Sequence, residues 1–356
     1  MKRALIVAPN WIGDAVMAQP LLAVLSRQGF QIDVLATPWV APIFETCAEV
    51  HQVIQADFKH GALGLGLRIK IAKNLRQAAY DQAYVLPNSW KSALIPWLAK
   101  IPQRIGYKGE MRFGLLNLTL NNPPKIDRPS MVEHYAKLAQ FNLASKDRGE
   151  ISSIENPALR ISDEARGLAQ SQIRDFFPES EIFFVLAPGA EYGPAKQWPL
   201  SHFAALGKRI LLEYPKAGIL IIGGPKDRTA GQSIQDEVTQ TSPRGLSANR
   251  IKSICGELTL AQSIALLGNA AGVVSNDSGM MHVAAALGIP QVAMFGSSDP
   301  KHTPPLSPFA APIWLGLDCS PCHQRQCPLG HLKCLQDISP ETAFKELSIK
   351  IIKKKG

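Results

Sequence analysis

Ala4-Leu5-Ile6-Val7-Ala8-Pro9-Asn10-Trp11-Ile12-Gly13-Asp14 is a short apolar run, then a turn, then the start of an amphipathic segment. An unbroken apolar run of this length, with no polar alternation, describes a strand buried on both faces, as in a parallel sheet covered by helices. Residues 15–26 follow with helical periodicity. Strand, turn and helix in that order open a βαβ unit. The rhythm continues with apolar runs at 32–35, 53–54 and 83–86 and helical patterns at 67–79 and 91–100. It pauses over residues 144–156, which are polar and aperiodic, and restarts with runs at 182–187, 218–222, 253–255, 272–275 and 291–295.

A chain of 356 residues is longer than one core supports, since single cores stop growing at roughly 250–300 residues. The expectation is an α/β fold of two Rossmann-like, doubly wound domains, residues 1–150 and 151–338, followed by a C-terminal helix at 339–356. Ser339 supplies that helix with an N-cap and Pro340 with its first residue. Its last turn, Lys353-Lys354-Lys355, suits the negative end of a helix dipole, or alternatively a membrane anchor.

Hydrophobic content of 46% with 19% charged residues excludes a disordered chain. No apolar run approaches the roughly 20 residues that span a bilayer, and the start is too soon interrupted for a secretory signal. The expected location is therefore the cytoplasm, with the six cysteines reduced. The net charge of +9 is uneven: basic residues outnumber acidic ones 18 to 11 before residue 151 and 20 to 18 after it. The first half is expected to meet something anionic, whether nucleic acid, a phosphorylated lipid or an acidic saccharide.

In open parallel sheets ligands bind at the carboxyl ends of the strands, so the turns after the strands carry the chemistry. The first turn lacks Gly-x-Gly-x-x-Gly, which argues against a dinucleotide cradled there. It offers Asp14 beside Gly13, either as a helix N-cap or as a general base. In the second half Pro188-Gly189-Ala190-Glu191-Tyr192-Gly193-Pro194-Ala195-Lys196-Gln197-Trp198-Pro199 follows a strand and precedes a helix read as capped by Ser201. Its Lys196 suits a diphosphate, or is an ordinary surface lysine. Ser275-Asn276-Asp277-Ser278-Gly279-Met280-Met281-His282 brings another strand end into a helix, whose free amides bind anionic oxygens. His282 lies one turn beyond Ser278. Gly223-Gly224-Pro225-Lys226-Asp227 ends in a carboxylate that either accepts from ribose hydroxyls or caps a helix. Cys319, Cys322, Cys327 and Cys334, with His323 and His331 interleaved, either bind zinc or an iron-sulfur cluster or are reduced thiols closing a compact loop.

Five segments together resemble a known family: residues 10–14, Leu86-Pro87-Asn88-Ser89-Trp90-Lys91-Ser92-Ala93, Arg104-Ile105-Gly106-Tyr107-Lys108-Gly109-Glu110-Met111-Arg112, residues 188–199 and residues 275–282. They are similar to the bacterial ADP-heptose:lipopolysaccharide heptosyltransferases of glycosyltransferase family 9. The middle two segments and the late cysteines resemble type II, heptosyltransferase II, more than type I. The resemblance spans nearly the whole chain. It implies a GT-B fold, two Rossmann-like lobes facing a central cleft, with the acceptor on the first and the donor on the second. The implied reaction is inverting, metal-independent transfer of L-glycero-D-manno-heptose from ADP-heptose to the first heptose of the lipopolysaccharide inner core, heptosyl-Kdo2-lipid A, with no cofactor required.

By motif, Asp14 looks like the base, with Asn10, Trp11, Gly13, Lys91, Arg104, Lys108 and Arg112 on the acceptor side. Lys196 looks like the cation on the donor phosphates, joined by Gly189, Glu191, Tyr192, Asp277, Ser278, Gly279 and His282. Asp227 resembles the ribose-binding carboxylate, and the backbone of Leu258 a contact to adenine. Glu191 and Tyr192 stand where type I enzymes have small hydroxyl residues. The resemblance further implies a monomer, peripheral at the cytoplasmic face of the inner membrane, with a nucleotide-sugar donor, a lipid A core acceptor and no nucleic acid. Alternatives are heptosyltransferase I or another ADP-sugar transferase, a nucleotide-sugar epimerase or dehydrogenase, and a metal-clustered nucleic-acid-binding protein.

Overall fold

The computed structural model describes residues 1–58, 64–124, 128–142, 154–241 and 249–355. The chain divides into two compact units, Met1–Leu159 and Arg160–Gly356. Residues 144–153 of the expected boundary stretch lie outside the described residues.

The first unit contains β1 (Lys2–Val7), β2 (Phe30–Ala36), β3 (Val50–Gln55), β4 (Gln82–Val85), β5 (Gln103–Tyr107) and β6 (Leu118–Leu120). They pair in parallel in the order β3-β2-β1-β4-β5-β6. Consecutive residues are buried along β1 and throughout β4. Because successive side chains point to opposite faces, both faces of the sheet are covered. The helices are α1 (Ile12–Met17), α2 (Gln19–Arg27), α3 (Ala41–Glu45), α4 (Leu65–Gln77), α5 (Trp90–Leu98) and α6 (Met131–Ala136). The single helix expected at 15–26 is two, meeting at Ala18. Pro20 lies in the first turn of α2, where its missing N–H costs nothing. A capping box opens α6: the Glu133 amide donates to Ser130 Oγ at 3.2 Å and the Ser130 amide to Glu133 Oε2 at 3.0 Å.

The second unit runs α7 (Asp163–Phe176), β7 (Ile182–Ala187), α8 (Leu200–Glu213), β8 (Ala217–Ile221), α9 (Arg228–Thr241), β9 (Ile251–Ser253), α10 (Leu260–Leu267), β10 (Gly272–Asn276), α11 (Gly279–Ala286), β11 (Gln291–Met294), β12 (Ala310–Ile313), α12 (Lys333–Gln336) and α13 (Pro340–Lys355). Its parallel sheet is ordered β12-β11-β10-β7-β8-β9, the same winding as the first. Both are the doubly wound arrangement in which the chain starts centrally, steps outward, and returns to wind the other way. Ser201 is not the cap of α8. The N-cap is Pro199, and Ser201 sits inside the first turn. At α13 the cap is as read, the Thr342 amide donating to Ser339 Oγ at 3.1 Å. Ala343, Phe344, Leu347 and Ile351 of α13 join the core built on Trp198 and Phe203, which makes this helix part of the second unit.

Midway along β2 lies a fully buried carboxylate, Asp33. It accepts from the Arg3 guanidinium at 2.9 Å, the Tyr80 hydroxyl at 2.6 Å and His51 Nδ1 at 2.9 Å. Burial, then the neighbouring carboxylate, push the Tyr80 hydroxyl above its ordinary pKa, so it stays protonated and donates. Removing the carboxylate leaves the Tyr80 hydroxyl and the Arg3 Nη2 without their shared acceptor. Asp33→Ala is expected to lower the stability of the first unit by about 3 kcal/mol, read as a shift in urea midpoint; an unchanged midpoint contradicts this account.

Candidate active site

Each sheet reverses its winding between two neighbouring strands, β1 and β4 in the first unit and β7 and β10 in the second. There the connections leave toward opposite faces and open a crevice at the carboxyl edge. The turns singled out after β1, β7 and β10 fall at these positions, while Gly223–Asp227 follows β8.

In the first unit, residues 8–11 leave β1 and residues 86–89 leave β4. Trp11 is the N-cap residue of α1 and makes no side-chain cap, while Asp14 is the third helical residue. Asp14 is therefore not the N-cap. The Tyr135 hydroxyl, from α6, donates to Asp14 Oδ1 at 3.3 Å. Burial and then the Asp14 charge push Tyr135 well above its ordinary pKa, so the phenol remains the donor and orients the carboxylate. Asn10 and Trp11 are exposed, and Gly13 and Asp14 half-buried. Lys91 lies half-buried in the first turn of α5, its carbonyl accepting from Arg68 Nη1 at 2.7 Å. Lys108, just past β5, is exposed.

Arg104 and Arg112, read as acceptor-side cations, spend their guanidinium groups on the fold. Arg104 Nε donates to the Leu115 carbonyl and Nη1 to the Ile101 carbonyl, both at 2.7 Å. Arg112 is 4% exposed. It donates from Nη1 to the Pro87 carbonyl at 2.7 Å and from Nη2 to Asn88 Oδ1 at 2.8 Å and to the Tyr107 carbonyl. It ties the turn after β4 to the end of β5.

In the second unit, residues 188–198 leave β7 and Asp277-Ser278 leaves β10. A fully buried side chain, Asn276, joins the two. It accepts from the Trp198 amide at 2.9 Å and donates to the Pro188 carbonyl at 2.6 Å. The loop between those two contacts carries Lys196, whose ammonium meets Asp277 Oδ2 at 2.5 Å. Ser298 donates to the same oxygen. Ser278 is the N-cap residue of α11, and its hydroxyl oxygen is buried without a hydrogen-bond partner among the described residues. With the free first-turn amides beginning at Gly279, it forms a donor-rich helix end beside a lysine, the chemistry that receives phosphate oxygens.

His282 is buried on α11, and burial drives its pKa down to about 4, with Asp277 opposing and Lys196 adding to the shift. It is neutral near neutral pH. Asp227 accepts the Gly224 amide at 2.8 Å and packs on Gly189, where a Cβ would stand 2.5 Å from its Oδ2. Burial raises its pKa against that hydrogen bond. Glu191 pairs with Lys226 at 3.1 Å, and Leu258 is half-buried just before the α10 cap Thr259. Tyr135, Asn276 and Ser298 were not foreseen. Asn276 had a signal, a carboxamide ending an otherwise apolar strand; the other two come from distant segments.

Cys319, Cys322, Cys327 and Cys334 are free thiols lining one small cavity together with Ala195 and Ser297. Among the described residues no three His, Cys, Asp or Glu side chains are arranged to hold a metal. No helix among them is long and apolar enough to cross a membrane.

The sequence pattern of glycosyltransferase family 9 (heptosyltransferase) matches residues 68–333, and the chain belongs to that family. It is 37% identical to lipopolysaccharide heptosyltransferase 2 of Salmonella typhimurium over 97% of each chain. It is 36% identical to the Escherichia coli protein of that name, over 99% of this chain and 100% of that one. The solved structure of E. coli ADP-heptose lps heptosyltransferase II superposes with a TM-score of 0.84 at 35% identity, covering all of both chains.

The neutral His282 has a consequence for folding. Its folded pKa of about 4 lies below the unfolded value of 6.5. The unfolded chain therefore binds a proton that the folded chain refuses as pH falls through that window. Its contribution is fully present above the unfolded pKa and declines below it. Comparing urea midpoints at about pH 7 and about pH 5, the wild type is expected to lose on the order of 1–2 kcal/mol more than His282→Asn; equal losses contradict the assignment.

Proposed function

We propose that this chain transfers L-glycero-D-manno-heptose from ADP-heptose to the first heptose of the lipopolysaccharide inner core, the reaction of heptosyltransferase II. The full-length similarity to heptosyltransferase 2 supports the substrates. One geometric observation carries the mechanism: Lys196, held at 2.5 Å from Asp277 beside the start of α11, at a winding reversal.

The acceptor hydroxyl gives its proton to the Asp14 carboxylate as its oxygen bonds to the anomeric carbon. The bond from that carbon to the diphosphate oxygen breaks, its electron pair leaves with ADP, and the configuration inverts. Negative charge grows on the departing diphosphate, where Lys196, the Ser278 hydroxyl and the amides from Gly279 onward stabilise it. Asp277 holds the lysine in position until the donor arrives. These donors do the work a divalent cation performs elsewhere, and the transfer requires no cofactor. Asp227 takes the ribose hydroxyls, the Leu258 backbone the adenine, and Gly189, Glu191, Tyr192 and His282 line the donor side. Neutral His282 contributes a hydrogen bond and no charge.

On the acceptor side Asn10, Trp11, Gly13, Lys91 and Lys108 contact sugar and phosphate, while Arg104 and Arg112 keep the surrounding turns in shape. The basic excess of the first half suits an acidic, phosphorylated acceptor carried in an anionic membrane. The protein works as a monomer in the cytoplasm, peripheral at the inner face of the inner membrane.

The direct test is incubation with ADP-heptose and purified heptosyl-Kdo2-lipid A, read by mass spectrometry. The product gains one heptose; an unchanged acceptor mass overturns the assignment. Asp14→Asn is expected to lower kcat by on the order of 10²–10⁴ with ADP affinity retained in calorimetry, and near-normal turnover counts against the base. Lys196→Ala has a different signature, with kcat down by on the order of 10²–10³ and ADP bound more weakly. Wild-type affinity in that variant removes Lys196 from the diphosphate.

A further inference from the structure

The cysteine-rich loop does more than close on itself. Three backbone-directed hydrogen bonds connect it to neighbouring loops of the second unit, two of them onto the loop that carries Lys196 and the third onto the segment after β11. The Ala195 amide donates to the Arg325 carbonyl at 3.1 Å, the Tyr192 hydroxyl to the His323 carbonyl at 2.7 Å, and the His323 amide to the Ser297 carbonyl at 2.7 Å. Gly193 lets the two backbones meet: a Cβ there would stand 2.6 Å from the Arg325 carbonyl oxygen. This approach fixes where the Arg325 side chain starts.

The guanidinium of Arg325 lies 5.5 Å from the centroid of the Tyr192 ring, and the ammonium of Lys196 lies 5.2 Å from the same centroid. Two cations therefore gather on one aromatic ring. Lys196 has Asp277 as its counter-ion. Arg325 has no carboxylate partner among the described residues, and its side chain is exposed. An arginine held over an aromatic face that it shares with Lys196, its planar fork open to solvent, has the form of a phosphate receptor. One lysine already matched by an aspartate is little charge for two linked phosphates. A second, uncompensated cation makes up the difference.

We infer that Arg325 is a second cation for the diphosphate of the donor, carried to Lys196 by the cysteine-rich loop, which is thereby part of the donor site. The inference rests on the reading that this unit binds ADP-heptose. Tyr192 then acts as the common platform for both cations.

The test is calorimetric titration of wild type, Arg325→Ala and Arg325→Lys with ADP and with AMP, alongside KM for ADP-heptose and for the lipid acceptor. Equal thermal midpoints, expected for a change at an exposed side chain, establish that each variant is folded. Arg325→Ala is expected to weaken ADP binding roughly tenfold or more, with a smaller loss for AMP. Arg325→Lys recovers part of it, and donor KM rises while acceptor KM does not. ADP affinity within twofold of wild type in Arg325→Ala, or equal losses for ADP and AMP, overturns the inference while the donor reading stands. A wild type that binds no ADP overturns the donor reading and this inference together.

Discussion

The reversal of strand order, made once in each sheet, is the constraint from which the rest follows. A parallel sheet needs a crossover between each pair of neighbours, and right-handed crossovers place helices on one face until the winding turns back. Only between β1 and β4, and between β7 and β10, do neighbouring strands send their chains to opposite sides. Backbone amides and short side chains are left uncovered there. Asp14, Lys196, Asp277 and Ser278 all stand within ten residues of such a strand end.

Holding polar groups at those openings calls for buried polar contacts that are satisfied in pairs. Asn276 is the clearest case, one carboxamide accepting an amide and donating to a carbonyl at the two ends of the Lys196 loop. Trp198 anchors the same loop from below, its indole N–H donating to the Ile338 carbonyl at 3.0 Å while its ring packs on Phe203. Lys196 is thus positioned by the core before any ligand is present. Arg112 plays the corresponding part in the first unit through its two terminal nitrogens, spanning the turn after β4 and the end of β5, while its Nε is buried without a partner among the described residues. An unpaired buried carboxamide or guanidinium is costly, so such contacts fix loops more firmly than apolar packing of equal size.

Much of this was legible in the chain. Apolar runs marked β1, β4, β7 and β8 without interruption and β2, β10 and β11 with a single polar residue each (Asp33, Ser275, Gln291), because strands covered on both faces show no regular polar alternation. Short mixed strands gave no such signal: β5 opens with Gln103-Arg104, and β9 begins two residues before the run that was read. Pro20 inside an apparently continuous helical pattern was the overlooked sign of the break at Ala18. The turns at the strand ends were visible as glycine, proline and carboxylate. What sequence could not supply was direction. Nothing in the spelling of Arg104 or Arg112 says that the guanidinium turns inward to carbonyls, nor that Tyr135, 121 positions away, hydrogen-bonds Asp14. Those depend on packing between elements far apart in the chain.

The buried carboxylate Asp33, midway along β2, draws its partners from the strand starts, Arg3 of β1, His51 of β3 and Tyr80 just before β4, and Arg3 also donates its own amide to Asp81 at 2.7 Å. Cohesion is thus concentrated near one pole of the slab, away from the turn that carries Asp14. A lineage can remodel the turns at the opposite pole while these contacts keep the slab intact; change in the turns is decoupled from loss of fold.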